Sequence, residues 1–127
     1  MTFPLDLKAI GYGFAAFMAG TLVMSIVGAG FLSAGPSSVG KFGMGWLSVL
    51  GYLVPVVGGY VGAYFAPNRR ILHGTIGGSI GVLLLIAPAF VVPHYPLVGI
   101  PIVIACYAAL ASLGAIVGNH QGNKVAP

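Results

Sequence analysis

Acidic side chains are almost missing from this sequence: Asp6 stands alone among 127 residues, against five lysines and arginines. A carboxylate pair for acid–base chemistry therefore cannot be assembled from this chain, and neither an HExxH zinc motif nor a glycine-rich phosphate loop is present. Asp6 itself precedes the first apolar run, where a negative charge favours a helix N-terminus. Cysteine is equally scarce. Cys106 is the single one and lies inside an apolar stretch, which excludes a disulfide framework and any CxxC redox or metal motif. The basic residues do not cluster into the polybasic patch that nucleic acid requires. Charged residues make up only 5% of the chain, too few to cover a water-soluble globule of this size.

What is abundant is apolar length. Hydrophobic residues make up 58% of the chain and the mean hydropathy is +1.04, so the solvent is expected to be largely lipid. Crossing about 30 Å of hydrocarbon takes about 20 apolar residues at about 1.5 Å each, and four such stretches are present: 9–33, 44–66, 71–92 and 97–118. Between the first two, Gly35-Pro36-Ser37-Ser38 and Gly40, Gly43 and Gly45 predict a flexible turn of about ten residues. Pro67-Asn68-Arg69-Arg70 separates the second and third, and Pro93-His94-Tyr95-Pro96 the third and fourth. A polar tail, 119–127, follows. The continuous runs are unlike the ten-residue alternating segments of a membrane β-barrel. Because the first run is too long for the core of a cleavable leader, it is expected to be retained. The sequence thus predicts an all-α, polytopic protein forming one four-helix transmembrane domain.

With four spans, the termini and the central loop share a side of the membrane. That side carries Lys8, Arg69, Arg70 and Lys124, and the other carries Lys41. Basic residues are retained on the cytoplasmic side, so both termini are expected there. Arg69 and Arg70 fit this topogenic role and also suit contact with anionic lipid headgroups.

Lipid offers no hydrophobic drive between helices, so their association relies on close contact at small residues. Each span supplies a stripe at i, i+4 spacing: Ala16 and Gly20; Gly58, Gly62 and Ala66; Gly74 and Gly78, with Gly77 and Gly81 offset; Gly114 and Gly118. These stripes exceed what one bundle consumes, which points to assembly with other membrane chains or with further copies. The motifs Gly58-Gly59-Tyr60-Val61-Gly62, Leu72-His73-Gly74 with Gly77-Gly78, and Leu113-Gly114-Ala115-Ile116-Val117-Gly118 resemble a family of small, uncharacterised, glycine-rich four-helix bacterial membrane proteins. The resemblance covers about the last 70 residues; it implies that fold and no established activity. The ends of the second and fourth spans also resemble each other, as two duplicated helical hairpins would.

Histidine and proline carry what other chemistry there is. His73, about one turn inside the third span, is a candidate haem or chlorophyll ligand, alone or paired with His120; its alternative role is an interfacial polar residue, and no cofactor is required by any other residue. Pro55 lies deep in the second span and predicts a kink. No charge lies within a span, which opposes proton-coupled transport. The function expected from these features is a non-catalytic membrane subunit of a larger complex, respiratory or photosynthetic in kind. The alternative is a small homo-oligomeric transporter or channel.

Overall fold

A computed structural model describes residues 5–91 and 97–125; the 93–96 loop, the end of the third predicted span and Pro127 lie outside this range. The described residues form helices and the turns that join them, in the order α1 (Leu7–Ser33), α2 (Ser38–Gly51), α3 (Leu53–Phe65), α4 (Arg70–Ser79), α5 (Val82–Ile86), a 3-10 turn (Ala87–Phe90) and α6 (Gly99–Val125). Three stretches are long and apolar enough to cross a membrane: Leu7–Ser33, Ser38–Phe65 and Gly99–Val125. The α4–α5 stretch, Arg70–Ile86, is apolar but shorter.

Three expected boundaries are corrected. The first turn is far shorter than ten residues, because Gly40, Gly43 and Gly45 belong to α2. Gly35, at a φ of +66°, reverses the chain, and the Ser37 side chain caps α2 by accepting the Gly40 N–H at 3.2 Å. A side chain on Gly40 would fall on the Gly35 carbonyl oxygen, and one on Gly43 on the Phe31 ring. These glycines are places where α2 closes on the end of α1, not flexible joints.

The third run is not one helix. Its backbone ladder tightens after Ser79, with Leu83 N–H donating to the Ile80 carbonyl at 3.2 Å, and α5 ends in the 3-10 turn that contains Pro88. The polar tail is the third correction: α6 runs on to Val125, with Tyr60 Oη donating to Gln121 Oε1 at 2.7 Å and Gly122 buried. Past the lipid a helix needs only partners for its face, and these two contacts supply them. The second run, by contrast, is nearly continuous. It is interrupted only at Tyr52, three residues before Pro55, whose ring and missing N–H disturb the turn that precedes it.

The bundle is built around the α3–α4 hairpin. Pro67 forces Ala66 into extended backbone (φ −74°, ψ 133°) and so ends α3; α4 then returns antiparallel to it. Helices α1 and α6 each pack on both members of this hairpin, and meet one another across it at the Phe17 and Tyr107 rings, 6.2 Å apart. Among the described residues the heavy α3–α4 contact has no counterpart between α1 and α6, so their packing lacks the twofold relation that two duplicated hairpins would produce.

Burial is inverted relative to a water-soluble protein. The interior consists of Ala9, Gly13, Ala63, Ala111, Ala115 and their like, whereas large side chains face outward, Ile26 at 64% exposure and Phe42 at 70%. Exposing bulk and burying methyl groups is favourable only when the surroundings are themselves apolar. Phe17, fully buried, is the largest exception. Its ring occupies the space over Gly81, and its Cβ lies against Gly58. Phe17→Ala is expected to destabilise the fold by about 2 kcal/mol, measured by reversible unfolding in detergent. That figure counts only a residual cavity on the order of 100 Å³, because transfer of the ring from lipid to a lipid-like interior contributes little. No measurable change would mean that the ring is not seated there.

Candidate functional site

Backbone contact fills the half of the bundle nearest the α3–α4 turn. A Cβ added to Gly13 would lie 2.9 Å from the Gly58 carbonyl oxygen and 3.1 Å from Gly77 Cα; one on Gly58 would lie 2.9 Å from Gly78 Cα, and one on Gly62 3.1 Å from Gly74 Cα. On the other side of the hairpin, side chains on Gly59, Gly114 and Gly118 would fall on the carbonyl oxygens of Ala111, Val56 and Tyr60. Thr75 Oγ1 and Ser112 Oγ meet at 3.1 Å between α4 and α6, an interhelical bond of the kind worth about 0.6 kcal/mol in lipid.

Of the residues expected to mediate helix packing, Gly58, Gly62, Ala66, Gly74, Gly78, Gly114 and Gly118 are buried within this chain. Ala16 and Gly20 are half-buried beside an apolar groove, and a Cβ on Gly20 would meet the Val54 side chain and no backbone. The close face of α1 is instead Ala9 and Gly13. Sequence reasoning gave Gly59 and Gly122 no packing role and set Gly77 aside as offset, yet all three are buried at close contacts. The available sign was that α3 and α4 each carry two small stripes displaced by one residue, as a helix with two neighbours requires.

His73 is 1% exposed and sits in the first turn of α4. Its Nε2 accepts the Asp6 backbone N–H at 2.7 Å, which fixes the tautomer: the proton is on Nδ1, which lies 3.0 Å from the Arg69 carbonyl oxygen and donates to it. Asp6 in turn caps α1, its Oδ1 accepting from the Lys8 N–H at 2.9 Å. The imidazole is thus a clamp between the starts of α1 and α4. Both ring nitrogens are spoken for, so neither is free for a haem or chlorophyll metal. His120 is exposed on α6, so the two histidines do not share an environment. Among the described residues no group of three His, Cys, Asp or Glu side chains comes together in metal-binding fashion.

Beyond Phe17 the bundle opens. An apolar cleft of about 480 Å³ lies there, lined from α1, α2, α3, α5 and α6 by Phe17, Met24, Leu47, Val54, Leu85 and Tyr107 among others. Helix interruptions lie close by: Gly51, just before the break at Tyr52, lines the cleft, and Gly81 lies against the Phe17 ring. Thr21 and Ser25 also line it, but their hydroxyls donate to the carbonyls of Phe17 and Thr21 in their own helix, each at 2.9 Å. Among the described residues, the Tyr107 phenol is the one ionisable group that lines the cleft.

The architecture is that of an all-helical, membrane-embedded protein with one closed half and one open half. No family model, curated protein or solved structure matches the chain.

Proposed function

We propose that this is a non-catalytic integral membrane subunit that sits among other chains of a larger membrane assembly, with its closed half as a rigid anchor and its open half turned toward its neighbours. The observation that carries the reading is the open half itself: among the described residues α2 and α5 have few partners within the chain, and the cleft beside them is lined almost wholly by apolar side chains. Small residues were expected to supply the outer contact face; their burial inside the chain moves that role to the opposite end of the molecule. In this reading the α4–α5 stretch, about 25 Å long at 1.5 Å per residue, completes a fourth crossing together with the 3-10 turn. The location is the bacterial inner membrane, with Lys8, Arg69, Arg70 and Lys124 on the cytoplasmic side.

A channel or transporter is less well supported. Backbone contact along the closed half leaves no path through the protomer among the described residues, so conduction would have to run between copies, and no described helix carries a charge away from its ends. The deciding experiment is mild detergent extraction followed by native sizing and identification of whatever travels with the chain. Co-migration with unlike membrane chains in fixed proportion is expected; a lone, monodisperse homo-oligomer would sink the proposal and restore the transporter reading.

A further inference from the structure

The turn between α3 and α4 and the last turns of α6 border a second, open cleft of about 300 Å³, lined by Asn68, Arg69, Arg70, Asn119 and Asn123 together with Pro67, Ile71 and Leu72. Its lining holds two arginines and no acidic side chain. The sequence holds one acidic side chain, Asp6, and that carboxylate is occupied at the start of α1. Arg70 is partly buried, with Nη1 enclosed against Gly122 and lacking a hydrogen-bond partner among the described residues. Enclosing part of a guanidinium without a counter-charge is costly, and an anion at its remaining N–H groups would offset that cost. Arg69 adds a second cation from an unusual position: its backbone is left-handed (φ 45°, ψ 42°), and no side chain caps the helix it precedes. The carboxamides of Asn68, Asn119 and Asn123, which line the same cleft, have further N–H groups to offer.

Two arginines and three carboxamides lining one cleft suit an anion with several oxygens, and phosphate matches better than any single-acceptor anion. The cleft also lies at the end of the bundle that carries Lys8 and Lys124, the level at which headgroups would sit. We propose that this cleft binds a phosphate oxyanion, supplied by the headgroup of an anionic membrane lipid.

The test uses the full chain in phosphatidylcholine nanodiscs, titrated with phosphatidylglycerol and, separately, with inorganic phosphate, and read by thermal stability and native mass spectrometry. Phosphatidylglycerol is expected to bind in preference to added phosphatidylcholine. Arg69→Gln should weaken it about tenfold, the size of a charge-assisted hydrogen bond. Asn123→Leu, which changes no charge, should weaken it about fivefold, and Lys41→Gln at the other end of the bundle should leave it unchanged. Both Arg69 and Asn123 are exposed, so the variants retain the fold, which circular dichroism checks. If inorganic phosphate competes with the lipid, the site recognises the oxyanion alone; if it does not, the lipid is the source. Equal binding of the two lipids would overturn the proposal. So would an undiminished affinity in Asn123→Leu together with equal losses in Arg69→Gln and Lys41→Gln, which is the behaviour of diffuse surface charge.

Discussion

Gly114→Ala is expected to destabilise this protein by about 3 kcal/mol, the upper end of the cost of overpacking, and Gly114→Leu to prevent the native bundle from forming. A Cβ at this position would land on the Val56 carbonyl oxygen, and main chain within a helix cannot step aside as a flexible side chain could. The two helices would have to separate, with loss of the neighbouring contacts at Gly59 and Gly118. The same substitution at Gly11 or Gly45, where an added Cβ meets nothing within 4 Å, should be neutral or stabilising by up to about 1 kcal/mol, since alanine is the better helix former. Unfolding in mixed micelles, run on the three alanine variants together, measures the contrast. Equal effects at Gly114 and Gly11 would show that backbone contact is not what holds the closed half.

Replacing His73 should have the other large effect. His73→Phe keeps most of the volume but strands the Asp6 N–H and the Arg69 carbonyl, at about 1–3 kcal/mol for each unpaired group, so a loss of about 3 kcal/mol is expected. His73→Ala adds a void and should lose about 1 kcal/mol more. Amide exchange locates the damage: the Asp6 amide should lose protection in both variants, while amides around Phe17 keep theirs until global unfolding. An Asp6 amide that exchanges equally fast in wild type and variants would remove the clamp from the account.

The helical spans are legible in the sequence because an uncharged stretch long enough to cross lipid, with basic residues at its ends, has no stable place in water. The errors have a common origin. Gly40, Gly43 and Gly45 read as a flexible joint because glycine is permissive, yet composition does not report whether freedom or closeness is being used; Phe31 over Gly43 shows closeness. The third run reads as one helix because hydropathy counts side chains and is blind to the backbone ladder that tightens after Ser79. The tail reads as lying beyond the last helix because its residues are polar, although Gln121 and Gly122 have partners on α3 and α4. His73 is ambiguous in the sequence for a different reason: its decisive partner is Asp6, 67 positions away in the chain, and no local pattern announces that pairing. The polar cleft is hidden likewise, because Asn119 and Asn123 join Arg69 and Arg70 only once α6 extends past the lipid.

The closed half meets its neighbours through α-hydrogens and carbonyl oxygens, atoms that every amino acid shares. Such a surface has no alternative spelling: at Gly59, Gly78 or Gly114 any change of residue adds bulk, and none can improve the fit. Neutral drift is therefore barred from one end of the molecule and open to the other. In descendants of this sequence, new partners would be acquired around the Phe17 cleft while the glycine end stays fixed.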